Sequence, residues 1–364
     1  MRIVHFTETY LPIPDGVAVH IATLIKYIKK MGHSYELIAP VRHRDVTVSF
    51  FSVPFLPYSQ YRVAIPSPWK MRRILKINAD VCHIHTPFIV GALGKFFARK
   101  RDIGCVATYH TDFINMTESI QFPLKHFFVK IAYKYNMDLY RKCDLVIAPT
   151  EIIGKRLRKE GLNVRVLRHC IDTEYIDSLP QKDVFKKFGL NKNKPLVLFV
   201  GRLTKDKGVY TILEAAKKVM EAQFVIAGIG PEENRLRKFS RYLDNVKILG
   251  WVSDADKFSL MRVAEIFLLP SKAETFGLTI LEAQYCRCAV IASRAGAIPE
   301  VLGNRGLLVE FGNSEELADA IYKLLEDEDL RNKLGDEGRN FVEKEGNFKI
   351  YTEKIMKVYE EISS

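Results

Sequence analysis

Two carboxylates stand eight positions apart in the sequence with a glycine between them: Glu274, Gly277 and Glu282. The apolar run 266–270 predicts a buried strand and residues 278–286 predict a helix, which places Gly277 at the strand-to-helix turn. Because Gly277 has no Cβ, the free amides at this helix start can approach a phosphate oxygen, and the helix dipole strengthens the attraction. Glu282 could then accept hydrogen bonds from two ribose hydroxyls, while Glu274 faces the other end of the same ligand. For the spacing alone, a capped helix with a solvated glutamate is at least as good an interpretation.

A second glycine-rich loop supplies cations. Arg202 and Lys207 follow the predicted strand 196–200, and Gly201 and Gly208 flank them. Two such cations beside glycines that allow close approach can neutralise the negative charge of a diphosphate. Without the two glutamates, a pair of solvated loop cations would be the better interpretation.

The elements that must position these residues form two similar halves. In the first half, strand-like runs alternate with helical patterns at residues 2–6, 35–39, 81–84, 105–109 and 145–148. After the polar stretch 179–195 the pattern restarts, with strands at 196–200, 223–227, 246–249, 266–269 and 289–292. Strands alternating with helices predict parallel sheets. We therefore expect an α/β fold with two Rossmann-like domains, 1–178 and 179–349, whose strand ends face a central cleft.

Length and composition restrict the class of protein. Of the 364 residues 48% are hydrophobic, which is enough to fill two cores. No apolar run approaches the roughly 20 residues of a membrane-spanning helix, and the N-terminus enters a strand at once without a signal-peptide pattern. The six cysteines and nine histidines show no metal-binding spacing. We expect a cytoplasmic protein with reduced thiols, no metal and no cofactor.

The net charge of +12 is distributed unevenly. Residues 1–178 hold 26 Lys and Arg against 15 Asp and Glu, whereas residues 179–364 hold 29 against 28. This excess indicates an anionic partner for the first half, and a lipid surface is favoured over nucleic acid because no nucleic-acid-binding signature is present. A basic surface that only keeps the protein soluble is the alternative.

Residues 121–142 are the segment that we expect to contact a membrane. They contain aromatic and basic side chains and one acid, Asp138. At helical spacing Phe128, Ile131 and Tyr135 share a face, as in an interfacial amphipathic helix. A core-packing helix with a solvated basic side is the alternative. The cations expected at the membrane are Lys125, Lys130, Lys134, Arg141 and Lys142.

Five motifs occur in an order that is typical of one family. They are the E-x(7)-E pair Glu274 and Glu282, residues 201–208, 227–231 and 296–300, and Asp15-Gly16-Val17. With these motifs nearly the whole chain resembles the retaining glycosyltransferases of family 4, which have the GT-B fold. Residues 6–12, 85–88 and 109–112 look most like those of enzymes that glycosylate diacylglycerol or phosphatidylinositol.

The resemblance implies roles for single residues. Arg202 and Lys207 would clamp the diphosphate, Glu274 would hold sugar hydroxyls, and His110 would lie beside the donor sugar, which makes these four the catalytic candidates. The expected donor-binding residues are Gly16, Gly201, Phe276, Gly277, Leu278, Thr279 and Glu282. A C-terminal helix within residues 350–364 would return to the first domain.

The implied reaction is transfer of a hexose, glucose or mannose, from a UDP- or GDP-sugar to a hydroxyl of a membrane lipid. The enzyme would be peripheral on the inner face of the cell membrane and would not bind nucleic acid. A glycosyltransferase with a soluble sugar acceptor and a catalytically silent nucleotide-sugar-binding protein are the alternatives.

Asp254-Ala255-Asp256 formally matches the D-x-D metal motif of the other major glycosyltransferase fold. It lies at the start of a helical pattern, where Ser253 or Asp254 is a good N-cap, so we predict a helix cap instead of a metal site.

Overall fold

The computed structural model describes residues 1–12, 15–55, 58–110 and 125–363, and the side chains of 55, 58–61 and 125–129 are not described. The chain forms two compact units: unit 1 is Met1–Arg168 with Phe348–Ser364, and unit 2 is His169–Asn347. The chain enters unit 2 after Arg168, earlier than the predicted boundary at residue 178, because Ile171 and Ile176 already pack into the core of unit 2.

Unit 1 contains a parallel sheet and a separate hairpin. The strands are β1 (Arg2–Phe6), β2 (Ser34–Ala39), β3 (Val48–Ser49), β4 (Phe51–Phe55), β5 (Tyr58–Ile65), β6 (Val81–Ile84), β7 (Gly104–Thr108), β8 (Leu145–Ala148) and β9 (Val164–Val166). Seven of them form the parallel sheet in the order β3-β2-β1-β6-β7-β8-β9, and β4 pairs antiparallel with β5. The hairpin was not predicted.

Helices connect these strands. They are α1 (Gly16–Lys30), α2 (Pro68–Leu75), α3 (Ile89–Arg101), α4 (Lys125–Tyr140) and α5 (Glu151–Lys159). The Asp15 carboxylate caps α1 by accepting a hydrogen bond of 2.7 Å from the Ala18 amide, which satisfies a free donor of the first turn.

Unit 2 contains a second parallel sheet. Its strands are β10 (Leu196–Val200), β11 (Gln223–Ala227), β12 (Val246–Gly250), β13 (Ile266–Leu269), β14 (Ala289–Ser293) and β15 (Leu307–Val309). Their order is β12-β11-β10-β13-β14-β15, so the direction of winding reverses between β10 and β13. The strands are almost entirely apolar because helices cover both faces of such a sheet.

The helices of unit 2 are mostly short. They are α6 (Thr173–Ser178), α7 (Val184–Phe188), α8 (Val209–Ala216), α9 (Glu233–Ser240), α10 (Asp254–Val263), α11 (Leu278–Tyr285), α12 (Ile298–Leu302), α13 (Ser314–Glu326) and α14 (Glu328–Lys344). The predicted cap of α10 is confirmed, since the Ser253 hydroxyl accepts a hydrogen bond of 3.2 Å from the Asp256 amide.

The last helix, α15 (Phe348–Ser363), packs against α1, β6 and β7 of unit 1. The predicted fold class is therefore confirmed: two Rossmann-like parallel-sheet domains and a C-terminal helix on the first. Within the described parts of the chain, no helix has the length and apolar character needed to cross a bilayer.

Candidate active site

Two loops of unit 2 meet beyond the carboxyl ends of β10 and β13. These strands are parallel neighbours at the point where the winding reverses, which is where ligands bind in open α/β sheets. A Cβ on Gly208, whose φ is +67°, would lie 2.0 Å from the carbonyl oxygen of Pro270. The Lys272 amide also donates a hydrogen bond of 2.7 Å to the Asp206 carbonyl. Only a glycine at position 208 permits this close approach of the two loops.

The contact between the loops brings a predicted cation to a predicted carboxylate. Lys207 Nζ lies 2.5 Å from Glu274 Oε1, and each side chain is only 16% exposed. Arg202, on the same loop as Lys207, is exposed, and its guanidinium has no hydrogen-bond or ion-pair partner among the described residues. The loop therefore offers one neutralised cation and one that is available to an external anion.

The second carboxylate also has a lysine partner, which the sequence analysis missed. Lys257, in the first turn of α10, donates a hydrogen bond of 2.9 Å from Nζ to Glu282 Oε1. Glu282 Oε2 is buried and has no hydrogen-bond partner in the described structure. Buried acceptors are normally satisfied, so this oxygen is a vacant acceptor. No local pattern in the sequence links Lys257 to a residue 25 positions away, because only the packing of α10 on α11 joins them.

The carboxylate of Glu282 favours the protonated form of Lys257. Burial lowers the pKa of Lys257, but the carboxylates of Glu282 and Asp254 outweigh burial and raise that pKa above its ordinary value. Lys257 therefore stays protonated and holds one oxygen of Glu282 in a fixed position.

Helix α11 begins at the predicted turn. Gly277 is its N-cap with a φ of +89°, a conformation that glycine adopts without strain. The amides of Leu278 and Thr279 belong to the first turn, where amides have no partner within the helix. The side chain of Phe276 is 5% exposed and packs in the core of unit 2, so only its backbone can face a ligand.

The two other predicted glycines differ in their surroundings. A Cβ on Gly201 would lie 3.0 Å from the ring of Phe199, whereas a Cβ on Gly16 would meet no described atom within 4 Å. Gly16 also lacks the positive φ that favours glycine. Neither packing among the described residues nor backbone conformation therefore explains the glycine at position 16.

His110, in unit 1, ends a series of hydrogen-bonded imidazoles. Its Nε2 lies 3.2 Å from His85 Nδ1, and His85 Nε2 lies 2.9 Å from His5 Nδ1. Burial lowers the pKa of His5 to about 3, and burial together with the neighbouring histidines lowers the pKa of His85 well below its ordinary value. His5 and His85 are therefore neutral at pH 7.

Three of the buried histidines could also be considered as metal ligands. His5, His83 and His85 each offer a ring nitrogen, all within 4.8 Å of one another. However, His83 is bonded at one nitrogen to the Thr108 hydroxyl (2.7 Å) and at the other to the Tyr359 hydroxyl (2.6 Å). His5 and His85 are bonded to each other. A metal ion would have to displace these hydrogen bonds, and the geometry fits a buried hydrogen-bonded cluster.

Helix α4 carries most of the predicted membrane cations. Lys130, Lys134 and Lys142 are exposed, and Ile131 and Tyr135 are 52% and 47% exposed. Residues 121–124 of the predicted segment lie outside the described residues, as do the side chains of Lys125 and Phe128.

The C-terminal part of α4 faces the core. Met137 and Tyr140 are buried in the core of unit 1. Arg141 is held by ion pairs of 2.8 Å to Asp138 and 3.2 Å to Glu160. The predicted segment thus combines an exposed face with a core-packing face, and its arginine already has acidic partners.

Comparison with known proteins adds to this geometry. Residues 14–175 match the family model of Glycosyltransferase Family 4, and residues 180–341 match that of Glycosyl transferases group 1. The chain is 26% identical to the alpha-monoglucosyldiacylglycerol synthase of Acholeplasma laidlawii, over 92% of this chain and 90% of that protein. It is 28% identical to the phosphatidyl-myo-inositol mannosyltransferase of Mycobacterium leprae, over 100% of this chain and 98% of that protein.

Two further proteins extend the comparison. The chain is 26% identical to the N-acetyl-alpha-D-glucosaminyl L-malate synthase of Bacillus anthracis, over 97% of this chain and 95% of that protein. Among solved structures, Anabaena HepE in complex with UDP and glucose aligns with a TM-score of 0.77 at 18% identity, over 99% of this chain and 100% of that chain. This structural likeness supports the fold. Since the two family models together match most of the chain, it belongs to the glycosyltransferases, in family 4, and is an enzyme of the GT-B type.

Proposed function

We propose that this enzyme moves a hexose, glucose or mannose, with retention of configuration from a UDP- or GDP-sugar to a hydroxyl of a membrane lipid. The observation that carries the proposal is the group of residues beyond β10 and β13. It consists of the Lys207–Glu274 pair, Arg202, and Oε2 of Glu282, the last two without a partner among the described residues. Together they supply cations for a diphosphate and a fixed acceptor for hydroxyls.

Each residue has a distinct task in this proposal. Arg202 and Lys207 neutralise the diphosphate as the bond to the anomeric carbon breaks, and the first amides of α11 bind a phosphate oxygen. Glu282 accepts ribose hydroxyls through its vacant oxygen, because Lys257 occupies the other. Glu274 binds sugar hydroxyls, and His110 contacts the donor sugar.

The lipid acceptor rests on different support. The names of two relatives that align over nine-tenths or more of the chain contain monoglucosyldiacylglycerol and phosphatidyl-myo-inositol, which are both lipids. Unit 1 holds 29 Lys and Arg against 15 Asp and Glu, a net charge of +14, which suits a surface of anionic lipid. We place the enzyme in the cytoplasm, peripheral on the inner face of the cell membrane.

A soluble acceptor is the second candidate. The Bacillus anthracis relative is named for a malate product and aligns over 97% of this chain. That name favours a small anionic acceptor as much as a lipid, since cations of unit 1 would attract either one.

Turnover with a panel of nucleotide sugars tests the proposal. Each sugar is offered with a total lipid extract or with a mixture of soluble sugars and hydroxy acids, and both released nucleotide and glycosylated product are measured. We expect transfer from one UDP- or GDP-hexose to the lipid fraction, with full activity in chelator. Transfer only to soluble acceptors would replace the lipid by the second candidate, and nucleotide binding without turnover on any acceptor would contradict the enzymatic proposal.

A further inference from the structure

Two neighbouring parts of unit 1 expose apolar side chains together with cations that form no ion pair among the described residues. Residues 46–79 include five Lys and Arg and no Asp or Glu. They form β3, the β4–β5 hairpin and α2, and none of them belongs to the segment 121–142 that the sequence indicated.

The hairpin turns an apolar face outward. Phe51 and Val53 are 69% and 40% exposed, whereas Ser52 between them is buried. Across the ladder Phe51 pairs with Ile65, which is 47% exposed, and Ser52 pairs with the buried Ala64. Alternate residues of a strand lie on opposite faces, so one face packs on the protein and the other presents Phe51, Val53 and Ile65. Single exposed apolar residues need no explanation, but a contiguous group of them marks an interaction site.

Helix α2 continues this surface with cations. Trp69, Arg72, Arg73 and Lys76 follow the i, i+3, i+4, i+7 spacing of one helix face, and Trp69 is 76% exposed. The three cations are exposed and form no ion pair among the described residues. The opposite face is fixed to the protein, because Ile74 is buried and its neighbours Met71 and Leu75 pack against the core of unit 1.

The two parts are close to each other along the chain. Trp69 follows Ile65 by four residues, so their Cα atoms lie within about 14 Å of each other. Arg72 lies 5.3 Å from the Trp69 ring centroid, which places a cation directly beside the most exposed aromatic side chain of this surface. We call the group Phe51, Val53, Ile65, Trp69, Arg72, Arg73 and Lys76 the hairpin–α2 surface.

We infer that the hairpin–α2 surface docks onto an anionic lipid bilayer. Tryptophan takes positions at the level of the lipid headgroups, where its ring is partly apolar and its N–H reaches water. Apolar hairpin residues insert beside it, and the cations meet the lipid phosphates. A second copy of this chain is a poor occupant, because two such acid-free faces would repel each other. The inference rests on the proposed lipid acceptor but names the contact surface, which binding alone can test.

Co-sedimentation of the full chain with vesicles tests the inference. The vesicles are pure phosphatidylcholine or equal parts of phosphatidylcholine and phosphatidylglycerol. Arg72→Glu/Arg73→Glu/Lys76→Glu should bind the anionic vesicles roughly a hundredfold more weakly than the parent chain, because each lost cation weakens binding about fivefold. Lys130→Glu/Lys134→Glu/Lys142→Glu on and after α4 makes the same change in net charge and should bind within about threefold of the parent. Equal losses in both variants, or a larger loss in the α4 variant, would overturn the assignment.

A fluorescence readout locates the contact. The chain has two tryptophans, Trp69 and Trp251, so Trp251→Phe leaves Trp69 as the sole reporter. Its emission should shift to the blue with anionic vesicles and not with phosphatidylcholine alone. Unchanged emission during vesicle binding would overturn the inference, as would a dimer in sedimentation velocity that Phe51→Ser/Ile65→Ser dissociates.

Catalysis separates this inference from the proposed function. The variant Arg72→Glu/Arg73→Glu/Lys76→Glu, called the α2 variant, should turn over at the parent rate when the acceptor is dispersed in detergent. When the acceptor is in vesicles, its turnover should fall at least tenfold. Failure of the parent chain to use any lipid would refute the lipid acceptor, while the vesicle-binding result would still decide the docking surface.

Discussion

The two units differ in net charge and in the pairing of the cations at their proposed contact sites. In unit 2, Lys207 and Lys257 each bind a glutamate, and the unit as a whole holds 26 Lys and Arg against 28 Asp and Glu, a net charge of −2. In unit 1, with a net charge of +14, the cations of α2 lack acidic partners among the described residues. Paired, mostly buried charges fix geometry and suit a small ligand of defined shape, whereas exposed charges without ion pairs suit an extended anionic surface.

The largest expected effect is on the stability of unit 1 in acid. Burial lowers the pKa of His5 to about 3 and, with neighbouring histidines, lowers the pKa of His83 and His85 well below the ordinary value. Unfolded histidines take up protons below about pH 6.5 and these folded ones do not. Their contribution is therefore full above pH 6.5 and is lost as the pH falls, by on the order of 1 kcal/mol per histidine per pH unit.

Unit 2 should lose less stability in acid, because it has a single histidine, His169. Burial lowers the pKa of His169 to about 4. Urea unfolding followed by Trp69 in Trp251→Phe, and by Trp251 in Trp69→Phe, reports the units separately. Equal acid sensitivity of both tryptophans would contradict the contrast between the units.

Glu8, also in unit 1, should change stability in the opposite direction to the histidines as the pH falls, and so provides a control. Burial raises its pKa to about 8 although backbone amides of Val90 and Gly91 donate to it. Between about pH 4.5 and 8 this carboxyl is ionised in the unfolded chain but protonated in the folded protein, which costs stability, and that cost is relieved as the pH falls. Glu8→Gln removes the relief, so the acid loss of unit 1 should become steeper. A shallower loss would mean that Glu8 is ionised in the folded protein.

Next in size is the effect on turnover. Arg202→Ala and Lys207→Ala should each slow transfer about a hundredfold or more, because the charge that they meet grows in the transition state. Lys205→Ala, which removes an exposed cation of the same loop, is the matched control and should stay near the parent rate. Near-normal turnover of both test variants at unchanged thermal stability would place the diphosphate clamp elsewhere.

The effect on nucleotide affinity should be somewhat smaller. Glu282→Ala should weaken binding of the nucleoside diphosphate about 30-fold, which corresponds to about 2 kcal/mol for a charged acceptor of hydroxyl hydrogen bonds. Lys257→Met keeps Glu282 but removes the group that orients it, so we expect an intermediate loss. Calorimetry on folded variants measures both, and parent-like affinity in Glu282→Ala would refute the ribose assignment.

The smallest effect concerns two glycines. Gly16→Ala should leave stability unchanged, since its Cβ meets no described atom within 4 Å, and should weaken donor binding about tenfold if the diphosphate lies there. Gly208→Ala should instead lower the melting temperature, because its Cβ would meet the Pro270 carbonyl at 2.0 Å. Thermal denaturation and donor titration separate the two cases. An unaltered affinity of Gly16→Ala would remove Gly16 from the donor site.

The sequence predicted the parts of the structure that depend on local patterns. Apolar runs located ten strands of the two sheets, and the glycine turn before Glu282 was recognisable because backbone conformation restricts residue type. The sequence alone did not identify Lys257 as the partner of Glu282 or the hairpin–α2 surface. A lysine in a helix has the same sequence pattern whether its side chain faces solvent or Glu282. The sequence of the β4–β5 hairpin has no clear tight-turn signal, and it has no regular alternation of apolar and polar residues that would distinguish the buried face from the exposed one.

The central claim is that unit 2 binds the diphosphate and unit 1 binds the bilayer. One assay tests it, by measuring hexose transfer to the same lipid in vesicles and in detergent. Arg202→Ala should lose about a hundredfold in both formats, because the diphosphate is present in both. Arg72→Glu/Arg73→Glu/Lys76→Glu should lose at least tenfold with vesicles and stay at the parent rate in detergent, because only the bilayer presents an anionic surface. Equal losses of the α2 variant in both formats, or parent-like turnover of Arg202→Ala, would contradict the account.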